Sequence, residues 1–287
     1  MVKYNFTYDL VFKAALEACP LAVIKLIKEF VSDLKDISFD EKITFLKQEN
    51  IKGVDIKATI FDVNLNIANN LIELEMQKNK MGYDMRKRML KYFTDMVSLA
   101  FDKGDDYKHK PCYSVWFIGF NMFNDSKAIH EVELRDNINK EAFVDNAKII
   151  VVEFEKFKDI EYNNNRWYKL FKTNDLESLK GDDLIMNELA DKIENLNNDK
   201  EFVLKIDARE RAEREYNARM NAATEEGLKQ GMEQGLQQGL QQGLQQGLEQ
   251  GAKQEKIAIA KKLKAKGFSI DEILELTSLS KEEIESL

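Results

Sequence analysis

Asp55, Glu75 and Gln77 are the residues whose types and spacing point most directly to chemistry. Val54, Ile56, Ala58 and Ile60 alternate with Asp55, Lys57 and Thr59, the period of a half-buried strand. Residues 71–77 (LIELEMQ) alternate again, with Ile72, Leu74 and Met76 on one face and Glu73, Glu75 and Gln77 on the other. Paired as an antiparallel hairpin, the two strands bring Asp55 and Glu75 together at one end, separated by the width of a ladder. Two hard oxygen donors, with water and a phosphate completing the shell, suit Mg²⁺. An ion held in this way can activate water and stabilise charge on a scissile phosphate. Taken alone, acids at alternating positions are more simply explained as a solvated strand face. The intervening stretch Asn64–Asn70 (NLNIANN) is longer than a tight hairpin needs and leaves the register open.

Basic residues gather just after these acids. Lys78, Lys80, Arg86, Lys87, Arg88 and Lys91 face a single acid, Asp84, within residues 78–91. A helix predicted from about Tyr83 to Phe101 places Arg86 at its opening, nearest the strand end, where it could hold phosphates together with Lys78 and Lys80. Solvation of the outer helix face is the simpler account of any one of these bases. Glu73 is an alternative ligand or another solvated acid. His109 and His130 have no nucleophile or metal cluster near them in sequence. Cys19 and Cys112 are too few for a disulfide framework and match no metal-ligand spacing, and Cys112 lies in an apolar run that reads as core.

The elements that must position these residues follow from periodicity. Leu10, Val11, Ala14, Ala15 and Leu16 recur at helical spacing, and Leu21 to Phe30 continue after Pro20. Further strands are predicted at Tyr113–Met122, Ile129–Leu134 and Lys148–Phe154. Strand pair, helix and further strands describe a mixed α/β domain over about residues 1–200. The chain of 287 residues is 44% hydrophobic and 10% aromatic, enough for a true core. Its 43 basic and 51 acidic residues argue against a protein that coats nucleic acid, though not against a local basic patch. No apolar run reaches the length of a membrane span, charge and polarity interrupt Met1–Asp9 where a secretory signal would open, and two cysteines fit a reduced compartment; a cytoplasmic protein without membrane contact is expected.

Residues 201–256 turn charged and then repetitive, with glycine at 227, 231, 235, 239, 243, 247 and 251, mostly as GLQQ. Each interior glycine costs a helix about 1 kcal/mol relative to alanine, so a flexible spacer and a helix that packs against a second chain, as in a coiled coil, are both open. Residues 257–287 return to helical period, with capping-box spacing at Ser269/Glu272 and Ser280/Glu283. Within residues 269–287, Asp271, Glu272, Glu275, Glu282, Glu283 and Glu285 against a single Lys281 argue for a packing or oligomerising module rather than a DNA reader.

YDLVFKAAL (Tyr8–Leu16), GVDIKA (Gly53–Ala58), LIELEMQ (Leu71–Gln77) and YDMRKRMLKYFTDM (Tyr83–Met96), taken in order, resemble the recombination-promoting nuclease (Rpn) family, also described as transposases. The likeness continues through GDDYKHKPCYSVWFIGFNMF (Gly104–Phe123), IIVVEFEKF (Ile149–Phe157), the glycine-punctuated spacer and the helical tail. That family belongs to the PD-(D/E)XK superfamily. The resemblance implies a restriction-endonuclease-like mixed-sheet core with flanking helices, followed by an α-helical C-terminal extension. It implies a metal-dependent DNA endonuclease that promotes recombination or acts on mobile DNA, with Mg²⁺, or Mn²⁺ or Ca²⁺, as cofactor. Carried over by position, Asp55 and Glu75 would be the metal-binding acids, joined by the backbone carbonyl of Met76, and Asp9 would support them.

Gln77 stands where the superfamily has lysine. A lysine positions the attacking water and offsets negative charge, whereas a neutral amide does only the first. Lys57 lies on the same strand face as Asp55 and is expected to supply the missing ammonium. The competing expectation is a degenerate nuclease fold that binds DNA or oligomerises without cutting. A homo-oligomer through the C-terminal helical region is expected in either case.

Overall fold

The computed structural model describes residues 3–46, 62–82, 84–101, 108–157 and 165–287. The chain divides into two units, Met1–Ala208 and Arg209–Leu287. In the first, helices α1 (Asp9–Ala18) and α2 (Pro20–Phe30) precede strands β1 (Ile43–Phe45), β2 (Val63–Ile67) and β3 (Asn70–Gln77). Helix α3 (Met85–Ala100) crosses over to β4 (Cys112–Ile118), followed by β5 (Ile129–Val132) and β6 (Ala147–Glu153). Helices α4 (Arg166–Thr173) and α5 (Leu184–Asn198) complete the α/β part, and α6 (Lys200–Ala265) leads out of it.

The strands form one mixed sheet in the order β1-β2-β3-β4-β6-β5. β3, β4 and β6 run parallel at its centre; the other pairs are antiparallel. The CYSVWFI run of β4 is buried along its whole length, as a parallel strand covered on both faces must be. Alternation sorts the side chains. Ile72, Leu74, Met76, Val115, Phe117, Ile150 and Val152 enter the core formed with α1, α2, α4 and α5. Leu71, Cys112, Trp116, Ile118, Ile149 and Val151 face the opposite way and pack on Met85, Met89, Phe93 and Met96 of α3. Helices therefore cover both faces of the sheet.

One sequence expectation changes here, and another falls outside the described residues. Residues 54–60, expected as the first strand of the acidic hairpin, lie outside the described residues together with Asp55 and Lys57. The NLNIANN stretch is not a long connection. Its first four residues belong to β2, which pairs with β3 through the two-residue turn Ala68–Asn69. Both turn residues have positive φ, 47° and 61°, the primed-turn geometry that matches strand twist. Asn70 Nδ2 donates to the carbonyls of Ile67 and Ala68 and fastens the turn.

Past the ends of β3 and β4 the backbones approach closely at Gly119. Its N–H donates to the Gln77 carbonyl at 3.1 Å, and a Cβ there would stand 2.4 Å from the Lys78 carbonyl oxygen. Gly119→Ala is expected to destabilise the protein by about 1–3 kcal/mol, read as a lower denaturant midpoint with unchanged slope.

The second unit contains the rest of α6, with α7 (Ile270–Thr277) and α8 (Lys281–Glu285). The glycine repeat lies within α6, and its leucines from 228 to 248 are exposed. Both predicted capping boxes are formed, and Ala260, Ile273, Leu279 and Ile284 make a small core.

Candidate active site

Glu75 is placed by the alternation of β3 on the face covered by α3, between Glu73 and Gln77. The register Val63↔Leu74 sets Asp62, the residue before β2, opposite Glu75. Two hydrogen bonds lock the pair. The Asp62 N–H donates to Glu75 Oε1 at 2.7 Å, and the Met76 N–H donates to Asp62 Oδ2 at 2.9 Å. Asp62 is not singled out by the sequence, in which the cleaner alternation of residues 54–60 points to Asp55, outside the described residues. The signal was nonetheless there: Val63, Leu65 and Ile67 alternate with polar residues directly after Asp62.

Burial dominates the electrostatics. Glu75 is 2% exposed, and loss of hydration holds its pKa well above the usual carboxylate range, assisted by the charges of Asp62 and Glu73. Asp62 is pushed up to about 6, chiefly by burial; the Met76 N–H opposes this, the Asp9 charge adds to it, and Arg88 and Lys13 oppose it. Asp9, the source of that charge, is the first residue of α1. Glu73 is fully buried and pushed up to about 8 by desolvation, although the Ser114 hydroxyl donates to its Oε2 at 2.8 Å. Trp116 Nε1 donates in turn to Ser114 Oγ at 2.8 Å. Glu73 Oε1 has no hydrogen-bond partner among the described residues. The acids of β3 are thus not a solvated strand face, because α3 lies over them.

The bases separate. Lys78 and Lys80 are exposed just beyond the end of β3. Arg86 Nη2 donates to the Met122 carbonyl at 2.9 Å, with its guanidinium 5.6 Å from the Phe123 ring centroid. Arg88 takes the place nearer the acids: its Nη1 donates to Gln77 Oε1 at 2.9 Å, and its Nη2 lies 3.9 Å from Glu75 Oε2. Gln77 Nε2 donates to the Asn79 carbonyl at 2.9 Å.

At the end of β6, Glu153 organises the loop that receives Arg86. Its carboxylate accepts the N–H groups of Met122 and Phe123, and Lys156 Nζ lies 2.5 Å from Oε2. His130 Nε2 is 3.2 Å from the same oxygen and its ring stacks on Phe123. Lys156 is 8% exposed, so Glu153→Ala would leave a buried ammonium without its nearest carboxylate. A loss of about 3–5 kcal/mol in unfolding free energy is expected on chemical denaturation. Cys112 is buried, and burial pushes its thiol up to about 11, away from nucleophilic use.

The parallel centre of the sheet thus presents two facing carboxylates at the end of β3, with a basic helix following. The sequence matches the model of the PD-(D/E)XK nuclease family transposases over residues 7–223. The chain belongs to that family. The match takes in the whole sheet and stops before the glycine repeat, which begins at Gly227. No curated protein and no solved structure matches the chain. In this PD-(D/E)XK family member no helix among the described residues is long and apolar enough to cross a membrane.

The donor chemistry fits a hard divalent cation. The buried Glu75 and the half-buried Asp62 face each other, the Asp62 charge helps to hold Glu75 above its ordinary pKa, and a cation would relieve that repulsion. Among the described residues no group of three His, Cys, Asp or Glu side chains gathers for a metal. A main-chain carbonyl and water would have to complete the shell.

Proposed function

We propose that the protein is a metal-dependent endonuclease that hydrolyses phosphodiester bonds in DNA and acts in recombination or on mobile DNA. The observation that carries this reading is the Asp62–Glu75 pair, cross-bonded at the end of β3 with Glu75 buried. Asp62 and Glu75, with the Met76 carbonyl, would hold Mg²⁺ or Mn²⁺, and Asp9 would add negative charge behind Asp62. Such an ion, when bound, supplies positive charge to the phosphate and acidity to the attacking water. Gln77, held by Arg88 and the Asn79 carbonyl, would help to shape the strand end where that water is activated. Lys78, Lys80 and Arg86 present cations beside the strand end and would hold the DNA backbone. A cytoplasmic homo-oligomer, joined through the exposed leucines of α6 in a coiled coil, would bring two such sites to one duplex.

The test is plasmid cleavage with Mg²⁺, Mn²⁺ or EDTA by the wild type, Asp62→Asn and Asp55→Asn. Cleavage that needs metal and disappears in Asp62→Asn supports the reading. Cleavage retained there and lost in Asp55→Asn returns the first metal position to Asp55. A folded wild type that cuts under no ion favours the non-cutting DNA-binding or oligomerising alternative.

A further inference from the structure

We propose that Arg88 is the positioning cation of this site, clamping Gln77 and Glu75 from α3 and supplying the positive charge that position 77 lacks. The inference rests on the reading of Asp62 and Glu75 as metal ligands. Its basis is the geometry of a fixed guanidinium. Nη1 donates to Gln77 Oε1 at 2.9 Å, Nη2 donates to the Tyr92 hydroxyl at 3.1 Å, and Nη2 is 3.9 Å from Glu75 Oε2. The guanidinium carbon lies 4.9 Å from the Tyr92 ring centroid and 5.5 Å from that of Trp116. A planar cation that forks and stacks in this way holds one orientation, which a flexible ammonium does not. Its charge reaches Asp62, Glu73 and Glu75 together.

Gln77 gives the complementary half of the argument. Its carbonyl oxygen is engaged by Arg88 and its amide nitrogen by the Asn79 carbonyl, so the side chain is fixed at both ends. The neutral amide relays the position of Arg88 to the strand end, and the charge itself stays on the helix. Lys57, to which the sequence assigned this role, lies outside the described residues. Arg86, two residues before Arg88, is turned to the Met122 carbonyl and does not make these contacts.

The test combines binding and turnover, using Arg88→Met, Arg88→Lys, Gln77→Lys and the double variant Gln77→Lys/Arg88→Met. With Ca²⁺ as probe at pH 9, calorimetry should show Arg88→Met binding the ion at least about tenfold more tightly, because a competing cation beside Glu75 has gone. Arg88→Lys and the double variant should return towards wild-type affinity. In cleavage assays Arg88→Met should lower kcat about 100-fold with little change in KM, and the double variant should regain at least about tenfold. A purely packing role would not be rescued by a lysine at position 77. Equal Ca²⁺ affinity in wild type and Arg88→Met, including no binding by either, overturns the proposal. So does full activity in Arg88→Met. Should that variant fail to fold, Gln77→Lys with Arg88 intact adds a second cation and should weaken Ca²⁺ binding about tenfold; unchanged affinity overturns the proposal. A wild type that binds Ca²⁺ with the expected Arg88→Met shift yet never cuts DNA refutes the nuclease reading and leaves this one standing.

Discussion

Glu75→Gln is expected to reduce metal-dependent cleavage by at least about 1,000-fold while raising the melting temperature of the metal-free protein. The opposite signs have one cause. Glu75 is a buried carboxyl beside Asp62 and Glu73, whose charges disfavour its ionisation. Replacing it by a neutral isostere removes that repulsion and keeps an amide oxygen to accept the Asp62 N–H. The same change deletes one of the two anionic oxygen donors on which a divalent ion would depend, and losses of this size accompany removal of charge stabilisation in a transition state. A stabilising change at a functional site is what a strained arrangement of like charges predicts. Plasmid nicking and thermal melts in EDTA, run on one preparation, check both halves. A variant that melts lower and still cleaves would contradict both.

The second large effect is on stability against pH. Asp62 titrates at about 6 and Glu73 at about 8 in the folded chain, against ordinary values of 3.8 and 4.5. Folding therefore strengthens proton binding at both carboxyls. Above pH 4 the unfolded chain releases these protons first, so stability falls as pH rises and the loss is complete only beyond the folded values. Other acids act in a different window. Burial raises Asp33 and Asp183, but Lys148 and Lys25 outweigh it and hold both below 3.8, so their stabilisation is already present at pH 5. Between pH 5 and 8 the buried acids should dominate. The metal-free protein is expected to lose several kcal/mol across that range, on the order of 5–10 °C in Tm. Millimolar Mn²⁺ or Mg²⁺ should flatten the slope, since an ion bound to the carboxylates favours their ionised form in the folded chain. Calorimetric melts at pH 5, 6.5 and 8, with and without metal, measure this directly. A metal-free Tm that rises from pH 5 to 8 would show the acids to be solvated or already paired.

Much of the architecture could be read before any coordinates, because it rests on local periodicity. Pro20 separates two helices, since its fixed φ suits the first turn of the second; α1 and α2 meet around it. LIELEMQ lies within β3, and its polar positions share the face covered by α3. The CYSVWFI run is a central parallel strand, and Ser269 and Ser280 cap helices as their spacing with glutamate predicts. Membership of the PD-(D/E)XK family was legible in the order of these segments.

What the sequence left open depends on register and on coverage, which no local pattern contains. Asp62 meets Glu75 because a two-residue turn of Ala68 and Asn69 sets Val63 opposite Leu74, and neither residue is the glycine that usually announces such a turn. Glu73 and Glu75 alternate like residues on a wetted face, yet α3 crosses over them and excludes water, which converts an ordinary acidic strand into a cluster with displaced pKa values. The helix also chooses between its arginines. Met85, Met89, Phe93 and Met96 must enter the core, and that phase turns Arg88, one turn after Met85, towards Trp116 and the acids while Arg86 points to the neighbouring loop. Residue types determined that this chain would gather carboxylates and bases at the end of one strand. Tertiary packing decided which of them meet, because a site is defined by distances between segments that the chain itself keeps apart.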